Sequence, residues 1–517
     1  MEENQWEDGY FNIYYTIEKD AKRFTNRDHH ELYCAGHFME AAVAYYNATG
    51  RDRLLKIMEK YADLIAKVFV EEKSAAFTTP GHEEIEIALY RMYKTTGKRK
   101  FMDLCAFFLE NRGVHENGEE NYDERDIQSH LPIREQHYAV GHSVRAMYLY
   151  SAMADYAGEI GDRELFDVCC ELFDDCTTKK MYITGGIGST NISEAFTVPY
   201  DLPNKGAYTE TCASIGMMFF ANRMFRIDPA HPSKYADIIE TEMYNGMLSG
   251  ISLDGRRFFY ENPLEIDLVE RNRLTCTRAK ERFPITQRPF VFGCSCCPPN
   301  LNRVLASLGD YFYGYDEENG SVYVNQFGKS EFSHGDAKVS VDTEYPHSGK
   351  IAIVSNVPVF VRIPGWCRHF TADQPHIMVN GYAKFDAGEI NIEFEMKPEL
   401  VTSSAMVVAN IGKAALRRGP VVYCAEGVDN SKFAVGGRDV HLLAIDRTAV
   451  ADANIAWDRG MGADVIDVRG FRISDRTDAL YAPIDEVYIP VETIRMIPYH
   501  CFANRGETNM LVYMNYR

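Results

Sequence analysis

The chain has 517 residues, 55 of them basic and 75 acidic, giving a formal net charge of −20 and a pI near 5.3. Its length points to several domains with a sizeable core, and 46% hydrophobic with 25% charged residues is globular rather than disordered composition. The acidic balance argues against a nucleic-acid or anionic-membrane partner, and no stretch approaches the ~20 apolar residues of a membrane span.

The first segment, Met1-Glu2-Glu3-Asn4-Gln5-Trp6, lacks the basic and apolar regions of a signal peptide, so a cytoplasmic protein is expected. Beyond it, helical patterning dominates as far as Tyr315. Leu54, Leu55, Ile57, Met58, Tyr61, Leu64, Ile65, Val68 and Phe69 recur at helical spacing. Similar stripes run over 30–48, 82–95, 99–112, 139–158, 162–178, 209–227, 232–250 and 299–314. Gly50, Gly97 and Gly161 each follow a stripe, where a left-handed C-cap is needed, and Pro232 opens another. The glycine spacing is uneven, which predicts serial αα-hairpins rather than a strict solenoid. Such hairpins can close into a toroid whose loops build a cleft at one end, and that is the architecture expected for 1–315.

After Tyr315 the texture changes to short, often alternating runs. Val322-Tyr323-Val324, Lys338–Val341, Ile351–Val354, Val359–Arg362 and Ile390–Glu395 predict an antiparallel β-sandwich over 316–419. Val421-Val422-Tyr423 and Val487-Tyr488-Ile489 suggest a second, smaller β domain over 420–517, read as an oligomer contact, which admits a homodimer, or as a cleft wall.

Thirteen cysteines are too sparse for a disulfide scaffold and odd in number. Cys105, Cys169, Cys170 and Cys176 sit on helix-like segments and read as small buried hydrophobes. The cluster Cys294-Ser295-Cys296-Cys297 is different. Together with Glu210-Thr211-Cys212 it offers three thiols and a carboxylate, a donor set suited to zinc. Glu210 and Cys212 cannot share a face of a regular helix but can converge where a loop enters one. Pro298 and Pro299 predict an irregular loop at the second pair. A vicinal disulfide or plain buried thiols are the alternatives.

Glu194 follows the glycine-rich run Thr184–Ser189 and lies beside apolar residues that would raise its pKa, which makes it a candidate general acid. A solvated surface glutamate is the alternative. The run lacks the third glycine of a dinucleotide loop and the lysine of a P-loop, so it does not read as a nucleotide site. His30, His82 and His142 each stand near the start of a different helix, where three imidazoles could bind sugar hydroxyls; surface or capping histidines are the plainer reading. No Gly-x-Ser-x-Gly elbow supports serine-hydrolase chemistry.

Taken together, His30–His37, Pro80–Glu86, Gly185–Gly188, Tyr208–Ala213 and Cys296–Asn300 resemble glycoside hydrolase family 127, the β-L-arabinofuranosidases with a zinc–cysteine centre. The similarity runs from about Asp8 to the tail. The resemblance implies an (α/α)6-type toroid followed by β-sandwich domains, a multidomain α+β chain. Family members carry further sequence ahead of the segment matching Asp8, and nine helices are read here where six hairpins need twelve, so the expectation is either that the missing helices belong to an omitted N-terminal part or that the toroid is open. It also implies a retaining glycosidase that releases L-arabinofuranose from β-L-arabinofuranosyl oligosaccharides. Cys296 would be the nucleophile and Glu194 the acid/base. Zn2+ would be held by Glu210, Cys212, Cys296 and Cys297, and His30, His82, His142 and Tyr260 would line the sugar pocket. Two alternatives stand beside this: a plant-glycan glycosidase of different sugar specificity, and a non-catalytic carbohydrate-binding protein with a structural zinc.

Overall fold

The computed structural model describes the chain except residues 19–21, 116–121, 273–284, 476–478, 482 and 484–485. It divides into two compact units, Met1–Thr178 with Ile192–Thr197, and Lys179–Asn191 with Val198–Arg517.

The first unit is built from helix pairs: α1 (Glu31–Thr49) with α2 (Arg53–Ala66), α3 (Ile85–Thr96) with α4 (Arg99–Glu110), and α5 (Ser143–Ile160) with α6 (Arg163–Asp175). Gly50, Gly97 and Gly161 close α1, α3 and α5 at φ 69°, each donating its N–H to the last turn. That left-handed geometry turns the chain back within a few residues and is why glycine stands at all three joints. The apolar stripes meet inside: Met39, Met58, Ile65, Leu89, Phe108, Met147 and Leu172 are all inaccessible to solvent. Arg112, at the end of α4, is buried with Glu83 at 2.8 Å and Glu86 at 3.2 Å. It also donates to the carbonyls of Pro80 and Ile127, so one guanidinium ties down the segment carrying His82.

The second unit begins with helices α7 (Thr211–Ile227), α8 (Pro232–Thr241) and α9 (Cys297–Leu305), α7 packing on both others. Two five-stranded sheets come next. One holds Tyr313–Asp316, Ser321–Val324, Val359–Arg362, Tyr382–Phe385 and Ile377–Val379; the other holds Ser330–His334, Ala337–Thr343, Lys350–Ser355, Gly388–Phe394 and Phe370–Ala372. Alternate residues of both, including Val322, Val339, Val341, Ile351, Ile353, Val361 and Ile392, form one core, as a sandwich requires. Pairing is antiparallel except where Val322 lies in parallel register with Val359. A third, ten-stranded sheet takes in Pro398–Val401 and Lys413–Arg418 ahead of Val421–Glu426, and its long ladder joins Ala463–Asp475 to Glu486–Pro498. Glu265–Ile266, from among the helices, adds a strand to it beside Met510–Leu511. Helices first and antiparallel sheets after is the multidomain α+β order expected from the sequence. Among the described residues no helix is long and apolar enough to cross a membrane.

Candidate metal centre and flanking site residues

Glu210 is the residue at which the chain enters α7. Its backbone is extended (φ −57°, ψ 138°), while Cys212 already belongs to the first helical turn. This change of direction lets side chains at i and i+2 aim at one point. The entry is fixed on all sides. Thr209 takes φ 41°, a left-handed conformation that a β-branched residue adopts only under constraint. Its N–H donates to the Gly188 carbonyl at 2.9 Å, and its hydroxyl donates to the Asn262 carbonyl. Thr211 N–H donates to the Tyr260 carbonyl at 2.9 Å, and the Asn262 amide donates to Thr209 O and Thr211 Oγ at 3.0 Å each. A Cβ on Gly186 would stand 2.7 Å from Thr209 Cβ. The glycine-rich run therefore lets backbone approach the Glu210 entry closely.

Cys296 is the N-cap of α9 and Cys297 its first residue. The irregular loop expected from the two prolines is not what forms. Pro298 and Pro299 sit in the first turn of the helix, where their missing N–H groups have no intrahelical partner to lose and their fixed φ suits the helix. Both thiols thus stand at the positive end of a helix.

The four side chains converge, with one donor atom from each lying within 4.8 Å of the others. Cys212 Sγ and Cys297 Sγ are 3.6 Å apart, and Cys296 Sγ and Cys297 Sγ 3.8 Å. Glu210 Oε1 is 3.3 Å from Cys296 Sγ and 3.9 Å from Cys297 Sγ. A disulfide needs about 2.05 Å, so these are separate thiols. A tetrahedral ion with bonds of about 2.3 Å to sulfur and about 2.1 Å to oxygen has S···S edges of about 3.8 Å and S···O edges of about 3.6 Å. The observed edges match, so the residues fit a metal. The two buried thiols differ in acid–base state. Burial raises the Cys212 thiol, but hydrogen bonds from Cys296, Cys297 and the Asn300 amide outweigh it and bring it down to about 7. Burial pushes Cys297 well up. Glu210, Cys212 and Cys297 are buried; Cys296 alone is half-open to solvent.

Tyr260, in the same unit, is buried, and its ring stacks on Phe292 with centroids 5.0 Å apart. Phe292, Tyr208, Glu261, Arg271, Gln287 and Glu507 line a cavity of about 760 Å³, and Glu261 pairs backbone to backbone with Glu210.

In the first unit the three histidines form a row. His30–His82 and His82–His142 ring centroids are each 5.8 Å apart. His30 Nδ1 lies 2.6 Å from Asp28 O and His82 Nδ1 2.9 Å from Glu83 O, so Nδ1 carries the proton and Nε2 presents a lone pair. Burial holds both imidazoles below the usual range, His82 far below, and they stay neutral. His142 is turned the other way. Its Nδ1 accepts the Val144 N–H at 3.2 Å, and its Nε2 lies 2.8 Å from Glu194 Oε2. Ser193 and Glu194 both take positive φ, 55° and 53°. The Ser143 N–H and hydroxyl both donate to Glu194 O at 3.0 Å, fastening the glutamate to the start of α5. Its carboxyl is partly open to solvent.

Several neighbours escaped the sequence reading. Asn300 stands one helical turn beyond the cysteine pair, a spacing that could have marked it as an orienting residue. Tyr33, with its ring 4.4 Å from both His37 and His82, and the His37–Glu84 pair at 3.1 Å carry no comparable signal.

A family model described as the β-L-arabinofuranosidase, GH127 catalytic domain matches residues 1–310, and the glycoside hydrolase family 127 C-terminal domain matches 398–515. A non-reducing end β-L-arabinofuranosidase of Bifidobacterium longum subsp. longum is 33% identical, over 98% of this chain and 83% of its own. Among solved structures, a GH127 β-L-arabinofuranosidase from Geobacillus stearothermophilus T6 superposes with a TM-score of 0.89 at 38% identity, covering 99% of this chain and 84% of that one. A second GH127 β-arabinofuranosidase gives 0.85 at 32% identity, covering 99% and 82%.

Proposed function

Since the chain belongs to glycoside hydrolase family 127, we propose that it is a retaining exo-glycosidase that releases L-arabinofuranose from the non-reducing end of β-L-arabinofuranosyl oligosaccharides. The observation that carries the mechanism is the tetrahedral spacing of Glu210, Cys212, Cys296 and Cys297. Three sulfurs and one carboxylate favour zinc over the oxygen-seeking ions. Zinc held there would keep its thiols deprotonated at neutral pH.

Cys296 is the nucleophile in this reading, supported by its position as the one half-open sulfur of the four, at a helix start. Its sulfur attacks the anomeric carbon, forming a C–S bond as the glycosidic C–O bond breaks. Glu194 gives its proton to the departing oxygen. Glu194 then takes a proton from water, whose oxygen displaces the sulfur; two inversions leave the configuration retained. The His142 contact and the left-handed backbone at Ser193 and Glu194 support that role, since both limit where the carboxyl can point. Neutral His30 and His82 each present an Nε2 lone pair that can accept from a sugar hydroxyl, and His142 and Tyr260 are the other proposed sugar-binding residues. The free thiols favour a reducing compartment.

The test is hydrolysis of p-nitrophenyl β-L-arabinofuranoside by the purified chain with stoichiometric zinc under reducing conditions. Turnover that vanishes in Cys296→Ser and collapses in Glu194→Gln is the expected result. Undiminished turnover in Cys296→Ser would remove the nucleophile assignment, and zinc-loaded protein inert towards this glycoside but active on another would change the sugar.

A further inference from the structure

One cysteine of the cluster lies outside the donor set. Cys294 is exposed, and its thiol is hydrogen-bonded to that of Cys296 and to the Tyr260 hydroxyl. Accessibility therefore divides the cluster: Cys294 and Cys296 meet solvent, whereas Cys212 and Cys297 are buried.

We propose that Cys294 and Cys296 form a reversible modification site, in which a hydroperoxide converts the pair to a disulfide and a dithiol restores it. The inference stands on the placement of the thiols and does not depend on the glycosidase reading. In the first step the Cys296 thiolate attacks the peroxide. An S–O bond forms, the O–O bond breaks, and the remaining oxygen leaves as water or an alcohol after taking a proton. In the second step Cys294 sulfur attacks the sulfenic sulfur. An S–S bond forms, the S–O bond breaks, and water leaves with the Cys294 proton. Two thiols give two electrons and the peroxide takes them.

Geometry favours this pair over Cys296–Cys297, although those sulfurs are only 3.8 Å apart. Cys297 is locked into the first turn of α9 ahead of two prolines, so a vicinal bridge would have to distort helical backbone. Cys294-Ser295-Cys296 lies before the helix, in backbone with no ladder to break. Bridging takes Cys296 out of the four-donor set and leaves three donors in place. It also guards that sulfur, because a sulfenic acid with no resolving thiol goes on to the sulfinic state, which dithiols do not reduce.

The experiment compares wild type with Cys294→Ser, with Cys294→Ala as a second variant, all of native thermal stability before oxidation. Each is treated with hydrogen peroxide, denatured, alkylated and mapped by mass spectrometry, with a parallel sample reduced by dithiothreitol and assayed. In wild type the peptide is expected to lose two hydrogens and carry its label on Cys297, with activity restored by the dithiol. In either variant Cys296 should gain two oxygens and recover at least about tenfold less activity. A bridge that leaves Cys294 alkylated, or variants that recover as fully as wild type, would overturn the proposal. The mass readout decides even with no turnover to follow.

Discussion

His142 Nε2 lies 2.8 Å from Glu194 Oε2 while its Nδ1 accepts the Val144 N–H, so a single ring links the first turn of α5 to the candidate acid/base. With Nδ1 occupied as an acceptor, the proton sits on Nε2 and points at the carboxyl. The pair therefore fixes both the tautomer of the imidazole and the direction of the glutamate.

Replacing Glu194 with Gln keeps the shape and removes the titrating group. Hydrolysis of an oligosaccharide with a poor leaving group should fall about 10²- to 10⁴-fold, the usual range for a lost general acid. A p-nitrophenyl substrate should lose less in the first step, since its leaving group needs little protonation. His142→Ala, which removes a hydrogen bond to a charged group worth about 1.5–3 kcal/mol, should cost about 10- to 100-fold in kcat with zinc content unchanged. Steady-state kinetics on both substrates checks these expectations.

Removing the metal should destabilise the second unit. A ligand present at about 1,000 times its Kd stabilises by about 4 kcal/mol, so chelation should lower Tm by several degrees and stoichiometric zinc should restore it. Cys212→Ala should lose metal outright, because it takes a buried sulfur from the set. Elemental analysis beside calorimetry, on wild type and variant, reads both effects.

Gly186→Ala tests the close approach beneath the Glu210 entry. The added methyl would meet Thr209 Cβ at 2.7 Å and Cγ2 at 2.8 Å, and neither atom belongs to a long side chain that could swing away. Overpacking of this kind costs about 1–3 kcal/mol. The displacement falls on the residue before Glu210, so metal affinity should drop along with stability. Gly255→Ala, a control with open space around its Cβ but a left-handed φ of 69°, should affect stability without touching metal affinity. Zinc titration of the two apo variants separates them.

Acid should weaken the first unit through His82. Burial, reinforced by His142 and Arg145, holds its folded-state pKa far below the value near 6.5 of an unfolded histidine. Between those values the unfolded chain binds the extra proton, so stability falls as pH drops below about 6.5, by up to about 1.4 kcal/mol per pH unit for this group. It is not regained by going more acidic. His82→Gln should flatten that part of the profile, as read from urea midpoints between pH 7.5 and 5.5.

The helical half was readable because its signals are local. Apolar stripes and the three C-cap glycines mark where each helix runs and stops, and the strands of the sandwich announce themselves by alternation. The candidate metal set was readable for another reason: thiols and a carboxylate are recognised by type wherever the chain brings them. What escaped depends on backbone that composition does not encode. Nothing in Thr209 or Ser193 announces a left-handed φ, because that conformation is imposed by partners such as Asn262, 53 residues further along. The prolines after Cys297 misled for a related reason. Pro breaks a helix interior yet suits a first turn, and which applies depends on where the helix begins. The parallel register of Val322 with Val359 is likewise a tertiary outcome, invisible in either strand alone.

The four donors come from two helix starts, with Cys212 and Cys297 separated by 85 positions in the chain. No short stretch of polypeptide carries the whole set, so a nascent or partly unfolded molecule has no complete coordination sphere until α7 and α9 have docked. Under the proposed metal reading, uptake would become a stoichiometer of folding. The ratio of tightly held ion to polypeptide would then count the molecules in which those two helices have met, without an assay or an antibody.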